Sequence, residues 1–159
     1  VDAAEVTEPG EIRFTVPGNP VAKGRARSRI VTLKDGRQFV NHYTPGKTES
    51  EEAVIRYCAA KAMAGRDLMS GPLEIFICAY REIPASWSQK KIKLAREGKL
   101  FPVKKPDYDN YAKMQDALNK VIWGDDAQIV DAHIYKRYAD NPRLSVIVKH
   151  KQSPGDSDV

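Results

Sequence analysis

Alternation comes first along this chain. Ile12, Phe14 and Val16 alternate with Arg13 and Thr15, the period of a half-buried strand, and Pro17-Gly18-Asn19-Pro20 ends it. Two apolar runs, 30–33 and 38–40, flank Lys34-Asp35-Gly36-Arg37, and Asp-Gly between such runs predicts a hairpin. The period then changes. Thr48 and Glu51 have the spacing of a capping box, and Val54, Ile55, Cys58, Ala59 and Ala62 form one helical stripe, so a helix is predicted over about 49–64 with Gly65 closing it. Gly71-Pro72 precedes 73–80, which is rich in apolar and aromatic residues and reads as a central strand. Ser86 and Gln89 suggest a second capping box and a helix to about Glu97, anchored by Trp87, Ile92 and Leu94 or Ala95.

The next stretch carries the chemistry. Met114, Ala117, Leu118, Val121 and Ile122 repeat at helical spacing, predicting one helix from about Asp109 to Gly124. Strand alternation returns over 128–135 and again over 144–149, with a turn at Asp140-Asn141-Pro142. Neither internal repeats nor a dividing linker interrupt the pattern. The expectation is a single α+β domain over 11–150: a mixed or mostly antiparallel sheet with about three helices mainly on one side. The ends, 1–10 and 151–159, are expected to be flexible.

Composition narrows the function. The 159 residues suffice for one domain with a real core. A net charge of +5 suits a polyanionic partner without demanding one. Lys23, Arg25, Arg27 and Arg29 alternate, so an extended segment would line four cations along one side for phosphate contact; a charge-protected edge strand has the same pattern. Lys104 and Lys105 continue the basic supply up to the acidic motif. Cys58 and Cys78 read as buried thiols, and no apolar run reaches membrane-spanning length, so a cytoplasmic protein is expected.

Asp107 and Asp109 stand two apart, and Asp125-Asp126 follow the predicted helix. Converging carboxylates repel one another unless a cation sits among them, and Mg²⁺ accepts hard oxygen ligands while leaving positions for water or phosphate. Lys113 could neutralise charge building on a phosphate. Taken singly, each of these residues has a plainer reading: Asp and Asn are ordinary cap and turn residues, and Lys113 has helical spacing to both Asp109 and Asp116.

Together, P-D-Y-D-N-Y-A-K, D-A-L-N and W-G-D-D-A-Q-I resemble the RusA family of Holliday-junction resolvases. The segments P-x-x-K-G-R-x-R and Y-T-P-x-K-T point the same way, and the likeness runs from about Phe14 to Lys149. One departure concerns the spacing from Lys113 to D-A-L, one residue shorter than the family pattern. The resemblance implies a homodimeric, Mg²⁺-dependent endodeoxyribonuclease of bacteria or phages, with Mn²⁺ as a substitute metal, acting on four-way junction DNA. It also implies Asp107, Asp109 and Asp126 as metal ligands, with Asp125 the alternative third ligand, and Lys113 as the catalytic lysine. Two other functions stay open on the residues: a non-catalytic basic DNA-binding module, and a Mg²⁺-dependent nuclease for another branched or duplex nucleic acid.

Overall fold

The computed structural model describes residues 10–20, 27–43 and 46–155, with the backbone alone at 27, 43 and 46–48. Six strands and three α-helices follow the order β1 (Glu11–Pro17), β2 (Arg27–Thr32), β3 (Gln38–Tyr43), α1 (Gly46–Met63), β4 (Leu73–Glu82), α2 (Gln89–Arg96), α3 (Tyr108–Ala112), β5 (Ile129–Ala139) and β6 (Arg143–His150). Four strands form one mixed sheet in the order β1-β6-β4-β5, and β2 and β3 form a separate antiparallel pair. The α+β architecture expected from the patterning is the one found.

β4 runs antiparallel to β6 and parallel to β5. A parallel pair needs a long crossover, and residues 83–128 supply it with α2, α3 and two 3₁₀ segments. β5 and β6 are joined by only three residues, yet β4 lies between them, so that short link crosses the end of β4. β1 closes the other side against β6, with Ile12 opposite Val148 and Val16 opposite Leu144.

One face of the sheet is the core. Ile12, Phe14 and Val16 of β1, Leu73, Ile75, Ile77 and Ala79 of β4, and Leu144, Val146 and Val148 of β6 are all buried. Ile55, Ala59 and Met63 of α1 join this cluster, as do Tyr111, Met114, Leu118, Ile122 and Trp123 from the crossover. The opposite face carries Phe76, Cys78, Tyr80 and Ile147, none of them fully buried.

Several local expectations are corrected. α1 begins at Gly46, so Thr48 lies inside its first turn instead of capping it, and Val54 faces solvent at 45% exposure. α2 is capped by Ser88, whose hydroxyl accepts from the Lys91 N–H at 3.2 Å, not by Ser86. Cys58 and Cys78 are half-buried free thiols. The single long helix predicted over 109–124 is instead α3 followed by a 3₁₀ segment, Lys113–Ala117. Spacings of three and four residues serve both geometries, so the apolar stripe is buried either way. The chain then reverses at Lys120, whose φ is 66°, and its N–H bonds the Trp123 carbonyl at 2.7 Å.

The hairpin expected around Asp35-Gly36 is present. Gly36 has φ 85°, a conformation natural to glycine, and Asp35 accepts from the Arg37 backbone and side chain. That guanidinium holds the Asp35 carboxyl below the usual carboxylate range. Most of the terminal residues expected to be flexible lie outside the described residues. Within them, Lys151 reaches Asp131 at 2.8 Å and its N–H bonds Pro72.

Candidate active site

Asp107 sits at the N-cap of α3 in an extended conformation, and Asp109 is the second helical residue. The preceding Lys105–Pro106 peptide is cis. Both carboxylates are exposed, and their cationic neighbours are lysines: Lys105 Nζ lies 3.5 Å from Asp107, and Lys113 Nζ lies 3.8 Å from Asp109. Lys113 Nζ also donates weakly to Asn110 Oδ1 at 3.4 Å. Exposed pairs of this kind contribute little to stability, so these side chains can exchange partners at small cost.

Two residues that the sequence analysis did not single out hold this motif against the sheet. Arg81, at the end of β4, donates to the hydroxyl of the fully buried Tyr111 at 2.7 Å. Lys136 of β5 donates to the Lys104 carbonyl at 2.9 Å. Burial and the nearby Arg81 charge push the Lys136 ammonium below its ordinary range, while Asp107 acts in the other direction. Asp107, Lys104, Arg81 and Lys136 therefore share one region, at the C-terminal ends of the parallel pair β4 and β5. Crevices at such strand ends commonly hold ligands in open α/β sheets. A basic residue on the core side of a strand is the signal that could have revealed Lys136: it breaks the apolar alternation of Ile134 and Tyr138.

Asp125 and Asp126 lie elsewhere. Asp125 is the N-cap of the 3₁₀ segment Asp126–Gln128, accepting from the Ala127 N–H at 2.9 Å. Asp126 accepts from the indole N–H of the buried Trp123 at 2.8 Å, which orients the carboxylate and leaves its second oxygen for another partner. Gln128 clamps the loop, accepting from the Gly124 and Asp125 N–H groups and donating to the Met69 and Gly71 carbonyls, each at 3.0 Å. This region adjoins the start of β4 and β5. Along β5, Ile129 and Lys136 are roughly 23 Å apart at about 3.3 Å per residue. The two acidic clusters thus stand near opposite ends of one strand. Among the described residues, no three carboxylate, histidine or cysteine side chains of the single chain group closely enough to hold a metal.

Of the residues proposed for DNA contact, Lys23 and Arg25 lie outside the described residues. Arg27 and Arg29 fall on β2, with Arg29 exposed. Lys104 and Lys105 are exposed beside Asp107.

Comparison with known proteins agrees with the motifs. The family model described as Endodeoxyribonuclease RusA matches residues 17–149. The chain is also similar to the uncharacterized protein YqaN of Bacillus subtilis, 37% identical over 141 residues, which cover 87% of this chain and 95% of that protein.

Proposed function

The chain belongs to the RusA endodeoxyribonuclease family, and from that premise we propose that it resolves Holliday junctions by Mg²⁺-dependent phosphodiester hydrolysis, in DNA recombination and repair. The observation that carries this reading is the pair Asp107 and Asp109: two exposed carboxylates whose ion-pair partners among the described residues are the exposed Lys105 and Lys113, on a segment fixed to the sheet through Arg81–Tyr111 and Lys136–Lys104.

The donors suit the metal. All are hard carboxylate oxygens, the ligands Mg²⁺ prefers. Asp107 and Asp109 would hold it with Asp126, and the chemistry it would supply there is polarisation of the phosphoryl group and activation of water. The chain's own groups do the rest. Lys113 is tethered to Asp109 and swings to a non-bridging phosphate oxygen as negative charge grows there. Lys105 and the half-buried Lys136 hold the neighbouring phosphates.

Asp126 stands away from the pair within one chain, so the third ligand in this reading is contributed by a second copy. A homodimer supports it in two ways. Two sites related by a two-fold axis match the symmetry of a four-way junction. Juxtaposing Asp126 of one copy with Asp107 and Asp109 of the other completes a carboxylate set that one chain leaves open.

The test is a synthetic immobile junction incubated with and without Mg²⁺, for the wild type and for Asp107→Asn and Asp109→Asn. Cutting should require the metal and disappear in both variants, while junction binding persists or tightens. Equal nicking by the variants would leave a non-catalytic DNA-binding module. Preference for linear duplex over junction at fixed salt would instead indicate a nuclease of another substrate.

A further inference from the structure

The face of the sheet turned away from the helices has a function of its own to explain. It forms a trough of about 410 Å³, lined among others by Arg13, Phe76, Tyr80, Tyr135, Arg137 and Arg143. The strand registers set these side chains in rows. Tyr80 of β4 is paired with Arg143 of β6 on one side and Arg137 of β5 on the other. In the next row, Cys78 stands between Ser145 and Tyr135, and in the third, Phe76 stands between Ile147 and His133. At a strand spacing of about 4.8 Å, the two arginines of the first row are roughly 10 Å apart.

The cations lie on the rings. The Arg143 guanidinium is 3.8 Å from the centre of the Tyr80 ring, and Arg137 is 4.9 Å from Phe101 and 5.3 Å from Tyr135. Phe76 stacks on His133 at 4.5 Å, with Lys149 5.7 Å from its centre. Stacking and one carbonyl each, Lys136 and Asn141, fix Arg137 and Arg143. Among the described residues neither forms a carboxylate pair, and no acidic side chain lines the trough. Arg13 is the exception, held by Glu11 at 2.8 Å.

We propose that this uncovered face is a second DNA-contacting surface, a platform for an unpaired, single-stranded segment, on the side of the sheet opposite the Asp107–Asp109 site. Fixed guanidiniums without counter-charge suit phosphates, and flat rings and guanidinium planes suit bases. Duplex DNA hides its base faces, so it would use only the charges. A second copy of the chain seated trough to trough would press Arg137 and Arg143 against like charges, with no carboxylate in the trough to compensate. The inference goes beyond the resolvase reading and needs neither the metal nor the acidic residues.

The experiment is fluorescence anisotropy of a labelled oligothymidylate in EDTA, across a salt series. The Arg137→Ala/Arg143→Ala double variant should bind about tenfold or more weakly. The slope of log affinity against log salt should shrink by about 1.4, for two phosphate contacts at roughly 0.7 each. Ser145→Asp, which leaves the stacked pairs in place and adds a negative charge to the trough, should weaken binding too. Thermal melting checks that each variant is folded. Unchanged oligothymidylate affinity in both variants overturns the proposal. So does equal affinity of the wild type for a duplex of the same length, or a change of sedimentation from dimer to monomer in the double variant. The oligonucleotide is bound in EDTA, without metal and without cutting, so loss of junction cutting in Asp107→Asn and failure of this platform are separate results.

Discussion

Lys136 shows how a single side chain links sheet and site. Its side chain is partly buried on the core side of β5, with the ammonium bonded to the Lys104 carbonyl and near both Arg81 and Asp107. Burial first, then Arg81, makes the folded protein hold that proton less tightly than the unfolded chain does. The folded value is depressed below 10.5, so this group's contribution to stability improves as pH rises from the folded value towards 10.5. A ¹³C-methyl-lysine NMR titration should find one lysine with a midpoint below the rest, lost in Lys136→Met. Asp107→Asn should lower that midpoint further, because the carboxylate that favours the charged form is gone. An unmoved midpoint would place Asp107 too far away to act with Lys136.

At the scale of elements, the sharpest difference from expectation is the break after α3. The apolar stripe of Met114, Ala117, Leu118 and Ile122 was legible, and all four are buried. Its winding was not, because burial rewards the stripe in an α-helix and in a 3₁₀ segment alike. What ends it is tertiary. Trp123 bridges to Met69 and Asn119, pulling the chain around at Lys120. A left-handed φ of 66° is costly for a branched side chain and free for glycine. Lys120→Val should therefore lose about 1–2 kcal/mol more in urea unfolding than Lys120→Gly; both variants give up the Lys120 side-chain bond to the Gly124 carbonyl, so that loss cancels in the comparison. The strands were easier to read, since a period of two has no competing geometry. The position of Asp126 was hidden for a similar reason as the break: it depends on Gln128 gripping Met69 and Gly71, about sixty residues upstream, a contact that spacing in the motif does not encode.

The β2–β3 hairpin belongs to the same scale. It pairs internally, forms no substantial packing with any other described element, and exposes Ile30 at 69%, Val40 at 56% and Phe39 at 49%. An isolated two-stranded hairpin is marginal in water. Hydrogen exchange of the free protein should find its amides on the order of a thousandfold less protected than those of β4. Adding junction DNA should protect them if the hairpin contacts it, as the exposed Arg29 suggests.

For the whole molecule, the decisive geometry is the separation of the two acidic clusters along β5. If two copies complete each other's sites, metal and association are linked, and each strengthens the other. Sedimentation equilibrium should show Mg²⁺ tightening the dimer in the wild type and failing to do so in Asp126→Asn. Dimerisation unaffected by the metal in the wild type would place the third ligand elsewhere. The strands and crossover that set this arrangement lie almost wholly within the family match over 17–149, and among the described residues no helix is long and apolar enough to cross a membrane.

The three-residue link that carries the chain from β5 over β4 to β6 also bears on when the sheet can close. β1 pairs with β6, Glu11 opposite Lys149, so among the described strands the earliest in the chain has no sheet partner until the latest has been made. A nascent chain stopped near residue 142 would hold β4 and β5 with a bare flank and leave Ile12, Phe14 and Val16 exposed. Closure of the sheet therefore waits for β6, and a truncation within β6 should cost the sheet that inner strand and, with it, the pairing of the edge strand β1.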